Sequence, residues 1–292
     1  MSLNEILLYC ARKCQVGPLR RSAFRKFCRR NRDRELVART DSGYHMNTVI
    51  GDSVDNQIYV NGVYEPEVTA FFAEMARRSQ CFVDVGCNIG YFSCLFQQVN
   101  PGCRVFCIDA NPVMVRRATS NLALNGFTNF AAFNFGVSSR EEELNLNIPV
   151  NRHSLASFAY VPGNGAGGEV RSVKVVARKL FQIIPTQEIR NGVLKVDTEG
   201  YELQVFSGMS MEEADLFSCI LFELSPGNLE KANIDASDIF AVPWFSAFDH
   251  YHIGDDGRLT PFSAGNKMVQ EVSVILLNKK FDLTDLHDKA FR

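Results

Sequence analysis

No apolar run in this 292-residue chain is long enough to cross a bilayer. The longest, such as Val274-Ile275-Leu276-Leu277, fall far short of the roughly 20 residues a spanning helix requires. The opening stretch, M-S-L-N-E-I-L-L-Y-C, has Glu5 where a secretory signal would carry positive charge, and its apolar part is too short for a signal core, so export is not expected. No C-x-x-C pair occurs. Cys10 and Cys14, like Cys103 and Cys107, stand one residue too far apart, and nine cysteines make an odd number without regular spacing. That excludes a disulfide scaffold and suits free thiols in a reducing compartment, so a cytoplasmic location is expected. Internal repeats are absent too.

What is present is ordinary globular material: 46% hydrophobic and 22% charged residues, enough to bury a core without staples. The net charge of −2 conceals an asymmetry, because residues 1–40 hold eleven Lys and Arg against three Asp and Glu, a local +8 against −10 for the remainder. These residues also carry an amphipathic helical pattern. Leu19, Ala23, Phe24, Phe27 and Cys28 share a face, and Arg20, Arg21, Arg25, Arg29 and Arg30 lie around it. The expectation is a basic helical extension over residues 1–43 whose Phe face packs on the main domain, residues 44–292. Contact with an anionic membrane or nucleic acid is the alternative use of its arginines, and no aromatic-interleaved motif favours nucleic acid.

Residues 44–62 alternate as one or two strands would, with turn signals at Gly51-Asp52 and Asn61-Gly62. Pro66 then opens a helix over 66–78 with Val68, Phe71, Phe72 and Met75 on one stripe. Beyond it strands and helices alternate, the pattern of a parallel sheet covered on both faces. Strands are expected at 81–85, 104–108, about 131–135, 193–197 and 219–224, with helices at about 90–99, 112–125 and 201–208. Two further strands, 244–252 and 271–278, joined through Asp255-Asp256-Gly257, predict a closing antiparallel hairpin and bring the sheet to seven strands. The excursion at about 145–178 contains P-G-N-G-A-G-G at 162–168 and is expected to be a mobile loop able to close over a site.

The chemistry concentrates at Asp84-Val85-Gly86-Cys87-Asn88-Ile89-Gly90. An apolar strand running through a glycine turn into a helix points backbone N–H groups and the positive helix end at the carboxyl edge of the sheet, where open α/β sheets bind ligands. The spacing is G-x-x-x-G, and Asn88 stands where a dinucleotide fold needs glycine to approach a pyrophosphate. A cofactor without pyrophosphate is favoured, and S-adenosylmethionine is one. Asp109, ending the second strand, has the position and chemistry of a carboxylate accepting from ribose hydroxyls. Asp84 is expected to take the ammonium side through the turn. Gly86, Cys87, Asn88, Gly90 and Ala110 complete the expected cofactor contacts, with Cys87 as a small buried residue rather than a reactive thiol.

The chain resembles the FkbM-type methyltransferases over about residues 60–225. The resemblance is carried by G-V-Y-E-P-E at 62–67, F-V-D-V-G-C-N-I-G-Y-F-S at 82–93, I-D-A-N-P at 108–112 with Asn121 and Asn125, and L-K-V-D-T-E-G-Y-E at 194–202. It implies a Rossmann-like class I methyltransferase with a seven-stranded, mostly parallel sheet, an antiparallel C-terminal hairpin and here a helical N-terminal extension. The activity it implies is O-methylation of a small-molecule, sugar or glycan hydroxyl. Two stretches depart from the family pattern. Asp109-Ala110 replaces the more usual Glu-Pro, keeping the carboxylate, and Ala177-Arg178-Lys179-Leu180 replaces Thr-Leu-Asp, removing an acid near the excursion.

Methyl transfer to oxygen needs a group to take the hydroxyl proton. Asp197, ending the fourth parallel strand, and Glu199, in the turn after it, are the expected catalytic pair, with Asp197 also beside the cofactor. Glu223 is a third candidate acid, and Glu65 either caps its helix or reaches the cleft. Acids crowded in a partly dry cleft should hold at least one raised pKa. Lys195 points away from its strand neighbours and is read as structural. His153 in the excursion is a weaker base candidate, and the His250/His252 pair, without a fixed third ligand, does not make a metal site. A nicotinamide-dependent oxidoreductase would use the same strand-turn-helix but lacks glycine at 88 and a Tyr/Lys pair, and a non-catalytic polyanion-binding protein would rely on the basic extension alone.

Overall fold

Two helices, α1 (Leu3–Lys13) and α2 (Gly17–Arg30), open the chain, followed by an antiparallel pair of strands, β1 (Glu35–Arg39) and β2 (His45–Val49). The boundary expected at 43–44 therefore falls in the turn of a hairpin. The computed structural model describes residues 2–13, 17–149, 156–158, 170–254, 256–263, 270–286 and 289–291.

Residues 53–61, expected as a strand, form helix α3 (Ser53–Asn61). The Asp52 side chain accepts from the Val54 N–H at the start, and Gly62 in the left-handed region, φ 79°, ends it. Val54 and Ile58, one turn apart, are buried on the core side, which outweighs the strand preference of Ile58-Tyr59-Val60. Helix α4 (Pro66–Arg78) forms as its stripe predicts, burying Val68, Phe71, Phe72 and Met75.

The alternation that follows is β3 (Cys81–Val85), α5 (Tyr91–Val99), β4 (Arg104–Ile108), α6 (Pro112–Leu124), β5 (Phe130–Phe133), β6 (Gly136–Val137), β7 (Glu142–Pro149), β8 (Val170–Arg178), α7 (Leu180–Ile183), β9 (Gly192–Val196), α8 (Glu202–Ser207), α9 (Met211–Ala214), β10 (Phe217–Leu224), α10 (Pro226–Ala232), α11 (Ala236–Phe240), β11 (Phe248–Ile253), β12 (Leu259–Pro261) and β13 (Val272–Asn278). The main sheet has eight strands in the order β12-β11-β13-β10-β9-β3-β4-β5. All seven expected strands are present, and β12 adds an eighth at the edge. The closing hairpin is wider than expected: β13 inserts antiparallel between β10 and β11, and β12 pairs antiparallel with β11.

The flanks of the excursion, expected as loop, are strands. They form an antiparallel ladder of β7 on β8, with β6 parallel to β8, in a separate three-stranded sheet. The glycine-rich stretch 162–168 and His153 lie outside the described residues.

Alternate residues of the central strands feed two cores. Phe82 packs toward α4 and α5, its ring stacked on Phe96 at 3.8 Å, whereas Cys81, Val83 and Val85 face a second cluster built around Phe206, Phe222, Trp244 and Phe245. The strand order reverses between β3 and β9, with β4 and β5 on one side and β10 on the other. Loops leaving these strands at their carboxyl ends diverge there and leave a crevice.

Candidate active site at the strand switch point

The crevice is open to solvent and is lined by Gly86, Asn88, Asp109, Ala110, Asp197 and Glu199 among others. Its apolar walls come from Ile108, Met114, Phe135, Val137, Leu146 and Phe158.

Gly86 is the pivot. Its φ of 76° lies in the left-handed region, and a Cβ there would stand 1.8 Å from the Asp197 carbonyl oxygen, so β3 and the loop after β9 approach this closely only around a glycine. The Asp197 N–H donates to Val85 O at 3.0 Å, and the N–H groups of Gly86 and Cys87 donate to Ile108 O, so three strand ends are knotted at one point. Asn88 follows with φ 50° and donates its N–H to Asp109 Oδ2 at 2.9 Å; the Asn111 N–H donates to Asp109 Oδ1 at 2.8 Å. These two bonds fix the carboxylate and leave lone pairs on both oxygens. Burial pushes the Asp109 carboxyl up to about 7, with the two backbone donors pulling the other way.

The D-T-E-G-Y-E segment is built around a buried carboxylate that sequence reasoning passed over. Glu202 Oε1 accepts from the Thr198 N–H at 3.0 Å, the Thr198 hydroxyl at 2.9 Å and the Gly200 N–H at 3.3 Å. The turn it ties holds Glu199 in the left-handed region, φ 54°, and a Cβ on Gly200 would press 3.0 Å against Asn228 O. Glu199 Oε2 accepts from Asn228 Nδ2 at 2.7 Å, and burial together with the neighbouring Asp197 raises its carboxyl to about 7. Asp197 is held by Lys195 Nζ at 2.9 Å. That ammonium is buried above the Phe92 ring, and although burial alone would discharge it, Asp197 and Asp84 outweigh burial and raise its pKa. Lys195, read from the sequence as pointing away from its neighbours, supplies the counter-charge of these acids instead.

Of the expected cofactor contacts, Gly86, Asn88, Asp109, Ala110 and Asp197 line the crevice, and Asp84, Cys87 and Gly90 do not. Asp84 projects under the turn, 1% exposed, where its Oδ2 accepts from Ser93 Oγ at 2.6 Å and its backbone pairs in register with Lys195, while Oδ1 has no hydrogen-bond partner. A strand residue one position from the turn keeps the alternation of its strand, which turns Asp84 toward α5 rather than the opening. Cys87 is buried beside Cys107, whose hydrogen bond, with burial, holds the Cys87 thiol well above its ordinary pKa. Gly90 packs on α6, where a Cβ would meet Ala118 Cβ at 2.9 Å.

Two acids from other segments extend the cluster. Glu65 precedes α4 with φ 42° and makes no side-chain cap bond; burial raises its carboxyl to about 7, opposed by Lys195 and reinforced by Asp197. For Glu223 burial, Asp197 and Glu271 together push the carboxyl up to about 12. His250 lies elsewhere, with Nε2 3.1 Å from Phe245 O.

Residues 84–253, over half of the chain and spanning β3 to β11, match the methyltransferase FkbM domain. The chain belongs to the FkbM methyltransferase family. Enzymes of this family transfer methyl groups from S-adenosylmethionine, and the turn after β3, Asp109 and the D-T-E-G-Y-E segment lie within the matched residues. The chain is also 28% identical over 168 residues to methyltransferase sdnD of Sordaria araneosa, a match covering 48% of this chain and 64% of that protein. Among solved structures it is similar to an S-adenosylmethionine-dependent O-methyltransferase of Thermotoga maritima, at 12% identity and TM-score 0.39 over 84% of this chain and 77% of that one. A precorrin-6y C5,15-methyltransferase of Geobacter metallireducens aligns at 12% identity and TM-score 0.34 over 74% and 89% of the respective chains.

Proposed function

We propose that this FkbM-family enzyme methylates a hydroxyl oxygen of a small molecule, sugar or glycan, with Glu199 as the base that receives the hydroxyl proton. One observation carries the reading. A partly buried carboxyl with a pKa near 7 faces the same crevice as a hydrogen-bonded carboxylate suited to ribose.

The crevice fits S-adenosylmethionine. Asp109, fixed by two N–H donors, has free lone pairs for ribose hydroxyls, and Ile108, Ala110, Met114 and Phe135 supply apolar walls for a purine. When bound, the cofactor supplies an electrophilic methyl on a sulfonium. The protein's part is then positioning and proton transfer. Asp197, held by Lys195, lines the crevice with Glu199 and would face the bound molecules. A base with pKa near 7 is half ionised at neutral pH, so it accepts a proton without needing a large free-energy change to become available.

The test is mass spectrometry of metabolites and glycans incubated with the protein and isotope-labelled S-adenosylmethionine. A labelled methyl on oxygen is expected, and Glu199→Gln should abolish its transfer while cofactor affinity stays within about threefold. Transfer only to nitrogen or carbon acceptors would refute the hydroxyl assignment.

A further inference from the structure

We propose that the α1–α2 hairpin is a docking surface for membranes that carry anionic lipid. The fold separates its arginines into two sets. Arg12 donates to Val60 O and Tyr59 O, Arg20 to Ala11 O, and Arg30 to Asn4 Oδ1, so these three tie the hairpin to itself and to α3. Arg21, Arg25 and Arg29, at i, i+4 and i+8 on α2, are exposed together with Lys26, and none of the four makes an ion pair among the described residues. The spacing puts the three arginines on one helix face.

The apolar residues divide in the same way. Leu7, Leu8, Ala11, Phe24 and Phe27 pack inward, with Phe27 stacked on Tyr59 at 5.6 Å. Leu3, Ile6 and Tyr9, at i, i+3 and i+6 on α1, remain 53%, 44% and 62% exposed, and Leu19 on α2 is 61% exposed. Packing on the domain leaves these four side chains uncovered. Exposed aliphatic and tyrosine side chains on the same helix pair as exposed arginines suit an interface with charged headgroups above and acyl chains below. Nucleic acid would use the arginines and leave Leu3, Ile6 and Leu19 without a role. Charge complementarity also sets orientation: residues 1–40 carry +8 and the rest −10, so an anionic surface attracts the hairpin and repels the domain.

Flotation of the full chain with phosphatidylcholine vesicles, with and without phosphatidylserine, tests this independently of methyl transfer. Capture only on the phosphatidylserine vesicles, weakening as salt is raised, is expected. The triple change Arg21→Gln, Arg25→Gln, Arg29→Gln should weaken capture by about a hundredfold, and its charge-conserving lysine counterpart should bind like the unmodified protein. Leu3→Ser, Ile6→Ser, Tyr9→Ser should weaken it by about tenfold with the charge unchanged. All three should melt at the unmodified temperature and bind cofactor normally. The proposal is overturned if phosphatidylserine brings no capture, if the serine variant floats like the unmodified protein, or if a single-stranded RNA displaces the protein from vesicles at substoichiometric concentration.

Discussion

Asp109 and Gly86 place the sharpest demands on single side chains. Replacing Asp109 with Ala removes the acceptor we propose for ribose hydroxyls and strands the N–H groups of Asn88 and Asn111, so S-adenosylmethionine affinity by calorimetry should fall by about 1–3 kcal/mol. Unchanged affinity would place the ribose elsewhere. Gly86→Ala asks a methyl group to stand 1.8 Å from the Asp197 carbonyl oxygen in the left-handed region, and the urea midpoint should report a loss of about 3 kcal/mol or more. Glu199 answers to pH. Its raised pKa means that the carboxylate form is scarce below about 7, so turnover at saturating substrate should rise with pH up to about 7 and then level off. Stability moves the other way. Because Glu199 and Asp109 hold their protons more tightly folded than unfolded, their contribution is complete below about pH 4 and is lost as pH rises toward 7. The melting temperature of Glu199→Gln should therefore change less between those limits than that of the unmodified protein.

Among the elements, the β1–β2 hairpin depends on two asparagines of α6 and its end. Asn121, fully buried, accepts from the Asn47 N–H at 2.7 Å and donates to Ile89 O at 2.9 Å. Asn125 accepts from the His45 N–H at 2.7 Å and donates to His45 O at 2.7 Å. Together they satisfy an edge of β2 and hold the cofactor turn from behind. Asn121→Ala would leave the Asn47 N–H and the Ile89 carbonyl without partners and should cost about 2–3 kcal/mol in chemical denaturation, whereas Ser120→Ala beside it, at an exposed contact, should be close to neutral. The same elements show where local pattern misleads. Residues 53–61 carry strand-forming side chains yet form a helix, because the Asp52 cap and the buried Val54 and Ile58 outweigh propensity. The flanks of the excursion pair as β7 and β8 because Leu144, Leu146 and Ile148 alternate against the partner strand, a signal hidden behind the neighbouring glycines.

Across the whole molecule, charge is divided between a basic hairpin and an acid-rich domain in which Asp197 and Glu199 line the crevice and Asp197, Asp84 and Glu65 act on one buried lysine. Lys195→Met would leave these acids without their counter-charge. Asp197 would lose its partner, and the pH at which turnover reaches half its plateau should move upward, visible as a shifted pH profile in a protein that still binds cofactor. An unmoved profile would show that the base does not sense the cluster.

The amino-acid order alone determined the alternation of strands and helices from Cys81 to Phe133 and from Gly192 to Leu224, and the glycine turn after the first strand, because periodicity and backbone freedom are local properties. It also placed Asp109, Asp197 and Glu199 at strand ends, and strand ends of a parallel sheet meet at its carboxyl edge. Tertiary structure decided the rest. The insertion of β13 between β10 and β11, the turning of Asp84 away from the crevice, the use of Glu202 as a knot and the approach of Glu65 to Asp197 all depend on contacts between segments far apart in the chain. Such contacts are set by packing and burial of the assembled core, and no short window of residues contains both partners.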